Sequence, residues 1–284
     1  MEVLQNIFKD CDLHVQRYEP VHGGDINLAY CLFTSTGKYF LKINDKNKYT
    51  LMFTKEANGL RKLQELCTLK IPRVIREGSC YDQQYLLLEW LEKGSPKKDM
   101  WENFGSELAM MHKQPKEYFG FNENNYIGSL EQNNDPHNEW HSFYSECRIK
   151  PLVKKLFDAG DLSTTDIRDA DLFCNSLRTI FPGEPPSFLH GDLWAGNYMI
   201  TASGYAAMYD PSVYFGNREM DMGMTKLFGG FDRQFYEAYN ETYPLQKGWE
   251  NRLPITQLYP LLVHAVLFGG HYISDVKHIF SAFR

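Results

Sequence analysis

The chain has 284 residues, 43% of them hydrophobic, which is enough for one large packed domain or two modest ones. Its formal net charge of −6 argues against broad binding to nucleic acid, which needs a basic surface, but leaves room for a locally basic cleft that takes a small anion. Six cysteines, none within four residues of another, exclude metal-type C-x-x-C pairs and read as reduced thiols in a cytoplasmic protein.

In chain order, the first sixteen residues carry charges inside their apolar stretch and lack a signal-peptide core. From there to residue 92 the pattern is mainly that of strands. Residues 27–34 and 38–44 flank a Ser-Thr-Gly turn and predict a hairpin. Leu51 to Cys67 predicts a helix with Phe53, Ala57, Leu60, Leu63 and Cys67 on one face, bounded by Pro72. Residues 73–78 and 84–91 are the next strands, and the charged, Gly- and Pro-bearing segment 92–99 reads as a linker. Helices are then predicted over 100–112, 139–157, 165–180, 220–228, 233–243 and 253–273. The longest apolar run, around Leu258 to Phe268, contains Pro260 and His264 and is too short to span a bilayer, so no membrane partner is expected. His264 and His271 fall seven apart on that last helix without an evident third ligand, which favours core or surface histidines over a metal site. The expected fold class is α+β: a small β-rich N-terminal lobe (1–92) and a larger, mainly helical C-terminal lobe (93–284), with ligands expected where the two meet. Nothing in the pattern assigns an oligomeric state.

The stretch Phe188 to Asn197, FLHGDLWAGN, interrupts the helices and precedes a short hairpin turning at Ser203–Gly204. Asp192 and Asn197 stand five apart. Asp210 follows thirteen residues later, at the end of an apolar strand and before a proline. Two carboxylates and an amide brought together by a hairpin suit Mg²⁺, which takes hard oxygen ligands, usually one or two from protein and the rest from phosphates. The H-x-D-x-x-x-x-N spacing is that of a kinase catalytic loop, in which the Asp accepts the proton of the attacking hydroxyl and the Asn holds the metal.

The N-terminal lobe supplies candidates for the nucleotide. Lys42 lies on a strand. Glu56 lies within the apolar stripe of the following helix, where an unpaired carboxylate is costly, so a cation partner is expected and Lys42 is the natural one. The paired Gly23 and Gly24 allow close backbone approach to phosphates, or make a plain turn. The backbone of Glu89, Trp90 and Leu91, at a strand end, suits an adenine edge, or is a buried strand running into the linker.

These residues resemble a known family. GGDINLAY, FLKIN, MFTKEANGLRKL, FGFNENNYIGSLEQNN, EWHSFYSECRIKP, FLHGDLWAGN and the block from Tyr209 to Leu245 are similar to the fructosamine kinase (ketosamine-3-kinase) family, within the protein-kinase-like fold. The resemblance runs over nearly the whole chain. It implies phosphorylation by ATP, with Mg²⁺, of a small sugar-amine substrate, a fructosamine or ribulosamine, free or on a glycated lysine, at its 3-hydroxyl. Asp192 would be the catalytic base, Asn197 and Asp210 the metal ligands, and Lys42, oriented by Glu56, the phosphate cation. Gly23–Gly24 would cover the phosphates, Glu89 to Leu91 would receive adenine, and Trp194 would wall the sugar. Gly191 stands where many protein kinases have an arginine that reads a phosphorylated activation loop, and little room remains between Pro211 and Arg218 for such a loop. Asp25 stands where some family members carry a cysteine, so no redox switch is expected there. Of Arg218, Glu219 and Asp221, at least one is expected to brace the catalytic loop as a buried ion pair. The alternatives are a kinase of another hydroxyl compound (an aminoglycoside, a choline-like amino alcohol or a sugar) and a pseudokinase, against which the full set of five residues speaks.

Overall fold

The strand pattern of the N-terminal third closes into one antiparallel sheet. The computed structural model describes residues 2–23, 26–114 and 116–284. Helix α1 (Glu2–Asp10) is followed by β1 (Val15–Pro20), β2 (Leu28–Thr34) and β3 (Gly37–Asp45), then α2 (Met52–Leu66), β4 (Val74–Cys80) and β5 (Gln83–Glu89). The sheet order is β1-β2-β3-β5-β4, so β3 is central. The hairpin around Ser-Thr-Gly forms as expected, pairing Ala29 with Lys42. α2 buries Phe53, Ala57, Leu60 and Leu63, the predicted face. α1 was not expected. It packs Ile7 and Phe8 with Leu32, Leu41, Ile43, Tyr85 and Leu87.

The remainder is mainly helical: α3 (Met100–His112), the short strands β6 (Asn125–Ile127) and β7 (Leu130–Gln132), α4 (Trp140–Phe143), a π-helical turn (Tyr144–Ile149), α5 (Lys150–Asp158) and α6 (Thr164–Ile180). Then come β8 (Ser187–Leu189), β9 (Tyr198–Ile200), β10 (Ala206–Met208), β11 (Tyr214–Gly216), α7 (Glu219–Leu227), α8 (Arg233–Thr242), a 3₁₀ turn, α9 (Leu253–Phe268) and α10 (His271–Ser281). The single helix expected over 253–273 is in fact two. Gly269 and Gly270 take positive φ, which halts α9 and places His264 and His271 on different helices.

The chain divides into two compact units that do not follow chain order. Met1–Met100 together with Asn197–Pro211 form the first, and Trp101–Gly196 with Ser212–Arg284 the second. The hairpin β9–β10 joins the first unit through backbone bonds: Met208 N–H donates to Lys70, Ala202 N–H to Glu92 and Gly94 N–H to Ile200. The second unit packs around a large aromatic and aliphatic core that includes Phe143, Phe173, Leu189, Tyr214, Leu258 and Phe280. The α+β class with an N-terminal antiparallel sheet is as expected. None of the six cysteines forms a disulfide with another. Among the described residues, no helix is long and apolar enough to cross a membrane.

Candidate active site

In the first unit, central strand β3 carries Lys42 and α2 carries Glu56. The Lys42 side chain is 7% exposed, and its Nζ donates to Glu56 Oε1 at 2.8 Å. It also donates to Asp210 Oδ1 at 2.8 Å. Burial alone would lower the Lys42 ammonium, but the carboxylates of Asp210 and Glu56 outweigh it and hold the group above its ordinary value. Burial pushes the Glu56 carboxyl up, while Lys42 pulls it back. One cation therefore faces two carboxylates, leaving a surplus of one negative charge.

The β9–β10 register pairs Tyr198 with Met208, and Tyr209 N–H donates to the Asn197 carbonyl. This brings Asn197 and Asp210 to the same end of the hairpin, with Asn197 Nδ2 3.5 Å from the Asp210 carbonyl. Asp210 sits at φ +55, a left-handed conformation that aspartate tolerates better than most residues. Its side chain is 43% exposed, so one carboxylate oxygen is held by Lys42 on a side chain still open to solvent.

Gly23 lies between β1 and β2 at φ +135, and among the described residues, its chain neighbours aside, none comes within 4 Å of where a Cβ would stand. Gly24 lies outside the described residues. Glu89, Trp90 and Leu91 follow the buried run Leu86–Leu88 of β5. The Glu89 carboxylate is held by Lys70 at 2.8 Å and by the Arg73 N–H, and its own N–H donates to the Arg73 carbonyl. Burial would raise this carboxyl, but Lys70 and Arg73 bring it below its ordinary value. The polar contacts of Glu89 thus run to Lys70 and Arg73 rather than to Lys42.

In the second unit, the loop carrying Asp192 is held by its backbone. His190 N–H donates to Asp221 Oδ2 at 2.8 Å and Gly191 N–H to Asp221 Oδ1 at 2.9 Å. Asp192 N–H donates to His190 Nδ1 at 3.3 Å. Gly191 is required twice over: its φ is +84, and a Cβ there would overlap the Ser212 carbonyl oxygen. Asp221 also meets His112 Nε2 at 3.2 Å, and His112 Nδ1 meets the Tyr239 hydroxyl at 2.7 Å. Burial would raise the Asp221 carboxyl; His112, His190 and the Gly191 N–H overcome that and hold it below its ordinary value. Of the three residues expected to brace this loop as an ion pair, Asp221 braces it, by accepting two backbone N–H groups. Arg218 instead pairs with Glu184, and Glu219 with Arg252. No spacing rule ties His112 to an aspartate 109 residues away, and its only sequence signal is a histidine ending an apolar helix.

Trp194 is 37% exposed and packs over Gly196, with its ring centroid 5.9 Å from that of Phe228. Phe228 in turn lies 4.8 Å from His264. His264 Nδ1–H donates to the Pro260 carbonyl at 2.7 Å, and burial lowers its pKa.

A profile of the fructosamine kinase family matches residues 2–283. The chain belongs to the fructosamine kinase family. It is a phosphotransferase whose acceptor is a sugar-amine hydroxyl, and it phosphorylates a ketosamine. A Lactiplantibacillus plantarum protein named "Probable ketoamine kinase" is 38% identical over 271 residues, covering 93% of each chain. The crystal structure of a "putative fructosamine-3-kinase" from Thermobifida fusca YX-ER1 is 32% identical, with a TM-score of 0.88 over 99% of this chain and 98% of that one. A spectinomycin phosphotransferase, 15% identical with a TM-score of 0.62 over 99% of this chain and 93% of that one, shares the fold alone. This fructosamine kinase fold is the one the sequence resemblance implied.

Proposed function

We propose that this chain transfers the γ-phosphoryl of ATP to the 3-hydroxyl of a fructosamine or ribulosamine, free or on a glycated lysine, in the cytoplasm. The observation that carries the reading is Lys42 buried between Glu56 and Asp210. A buried ammonium held charged by two carboxylates, one of them open to solvent, suits the task of gripping nucleotide phosphates beside a metal.

The residues present fit Mg²⁺. Asp210 and Asn197 offer hard oxygens at one hairpin end, beside a surplus negative charge. Among the described residues, no group of three or more His, Cys, Asp or Glu is placed to hold a metal. Asp210 and Asn197 would hold the ion. Neutralisation of charge on the transferring phosphoryl is what it supplies when bound.

The protein's own part is positioning. Lys42, aimed by Glu56, would bind the nucleotide phosphates. Gly23 and Gly24 would cover them, and Glu89, Trp90 and Leu91 would receive the adenine. Asp192 would accept the proton of the acceptor hydroxyl. Its loop is tied through two backbone N–H groups to the buried Asp221, so the base is ordered before substrate arrives. Trp194, with over a third of its surface exposed, would stack against the sugar.

The test is incubation with ATP, Mg²⁺ and an N-protected fructosyl-lysine, with the product read by phosphorus and carbon NMR. A phosphoester at C3 is expected, absent without Mg²⁺. Asp192→Asn should cut kcat by about 10²–10⁴-fold while nucleotide binding persists. Phosphorylation at another carbon, or full activity in that variant, would overturn the assignment.

A further inference from the structure

Ser212 lies two residues after Asp210 in the chain and is gripped by a buried cluster of amide side chains. Gln132, on β7, is 1% exposed. Its Nε2 donates to the Ser212 carbonyl at 3.1 Å and to Asn125 Oδ1 at 2.8 Å, while its Oε1 accepts from the Tyr259 hydroxyl at 2.8 Å. Asn125 Nδ2 donates to the Val213 carbonyl at 2.8 Å, and Asn134 Nδ2 to Asn125 Oδ1 at 2.9 Å. Arg148, on the π-helical turn, donates to Asn134 Oδ1 at 2.7 Å. On its other side, Ser212 N–H donates to the His190 carbonyl at 2.9 Å, and Ser212 Oγ to the Tyr126 carbonyl at 2.7 Å.

The cluster admits one arrangement. Turning the Gln132 amide over would set its oxygen against two other acceptors, the Ser212 carbonyl and Asn125 Oδ1. Buried hydrogen bonds add little net stability each, but side-chain amides that are all partnered, as Gln132, Asn125 and Asn134 are, fix a unique geometry. β6 and β7 have three residues each, too few to stabilise a sheet on their own, and they present Asn125, Tyr126 and Gln132 to the segment after Asp210.

We infer that Gln132 is a positioning residue for phosphoryl transfer: through Ser212 it fixes the His190 carbonyl, and with it the loop that carries Asp192. The inference rests on the reading of Asp192 as the base. It also assigns a physical role to the Asn-rich segment 122–134, which holds the chain after Asp210 by hydrogen bonds.

The experiment compares Gln132→Leu, Gln132→Glu and Tyr259→Phe with Leu177→Ala, a cavity among the apolar residues of α6. It measures kcat, KM for both substrates, the thermal midpoint and hydrogen exchange at the Ser212 amide. Gln132→Leu and Gln132→Glu should lower kcat about a hundredfold, with both KM values within about threefold of wild type. Tyr259→Phe should lower kcat less. Ser212 should exchange faster in Gln132→Leu than in Leu177→Ala at equal thermal midpoint. A kcat loss no greater than that of Leu177→Ala, or a rise in KM at constant kcat, overturns the inference. Should both Gln132 variants fail to fold, an unchanged kcat in Tyr259→Phe overturns it. If wild type phosphorylates no acceptor, the reading of Asp192 fails on its own, and unaltered Ser212 exchange in the variants then overturns the positioning role separately.

Discussion

Lys42 and Asp210, 168 residues apart, meet at 2.8 Å in a site where Glu56 already supplies one carboxylate. The pairing holds the ammonium above its ordinary value and leaves two carboxylates against one cation. That excess of carboxylate favours a divalent cation beside it.

Lys42→Met removes the cation between two acids. Burial already pushes the Glu56 carboxyl up, so without Lys42 it should take up a proton and the fold should survive. The expected loss is about 10²–10³-fold in kcat/KM for the nucleotide. Adding Glu56→Gln to that variant should change little, because the two act as one unit. Steady-state kinetics on the double-mutant cycle checks this, and a strictly additive loss would contradict the coupling.

His112→Leu strips the buried Asp221 carboxylate of one of its hydrogen bonds. Denaturant titration should show a loss of about 2 kcal/mol, the cost of a buried acceptor left short of a partner. Activity should fall along with stability, since the same carboxylate holds the His190 and Gly191 amides. A variant of wild-type stability would mean that the His112 contact adds nothing.

The Asp221 carboxyl lies below its ordinary value in the folded state. Its contribution to stability is therefore fully present above the unfolded value of 3.8 and is lost as pH falls through the lower folded value. Between neutral pH and about pH 4 the stability gap between wild type and Asp221→Asn should stay constant, then narrow on further acidification. Unfolding curves across that range would show the narrowing; a gap that widens below pH 4 would contradict the sign.

Gly191→Ala places a methyl group against the Ser212 carbonyl oxygen at a left-handed φ. The conformational cost alone is about 1 kcal/mol, and the overlap adds to it. The variant should lose most of its activity while the first unit keeps its nucleotide affinity, a split that calorimetric titration beside kinetics can read.

Much of this arrangement is legible in the sequence because the relevant signals are local. A carboxylate inside an apolar helical stripe announces Glu56 as partnered, and Ser-Thr-Gly between two strands fixes the hairpin that carries Lys42. Asp210, at the end of an apolar run and before a proline, reads as a strand-end side chain. What escapes is assembled from distant pieces. His112 gains its meaning only from Asp221, and Gln132 only from Ser212 and Tyr259. The three-residue strands β6 and β7 are too short to leave an alternating pattern. α1 hides in a stretch whose charges interrupt its apolar residues, although Ile7 and Phe8 are buried. The break after Phe268 is a backbone effect of two glycines inside an otherwise continuous helical period.

The hairpin Asn197–Pro211 belongs with residues that precede it by about a hundred positions. Its contribution to the first unit is therefore made late in synthesis. A nascent chain that has exposed only its first hundred residues contains Lys42 and Glu56 but not yet Asp210, the second carboxylate of the cluster. The same threading bears on inheritance. A gene exchange with its crossover near codon 100 would unite a Lys42 from one parent with an Asp210 from the other, so the ion cluster would form only where both parents carry matching residues.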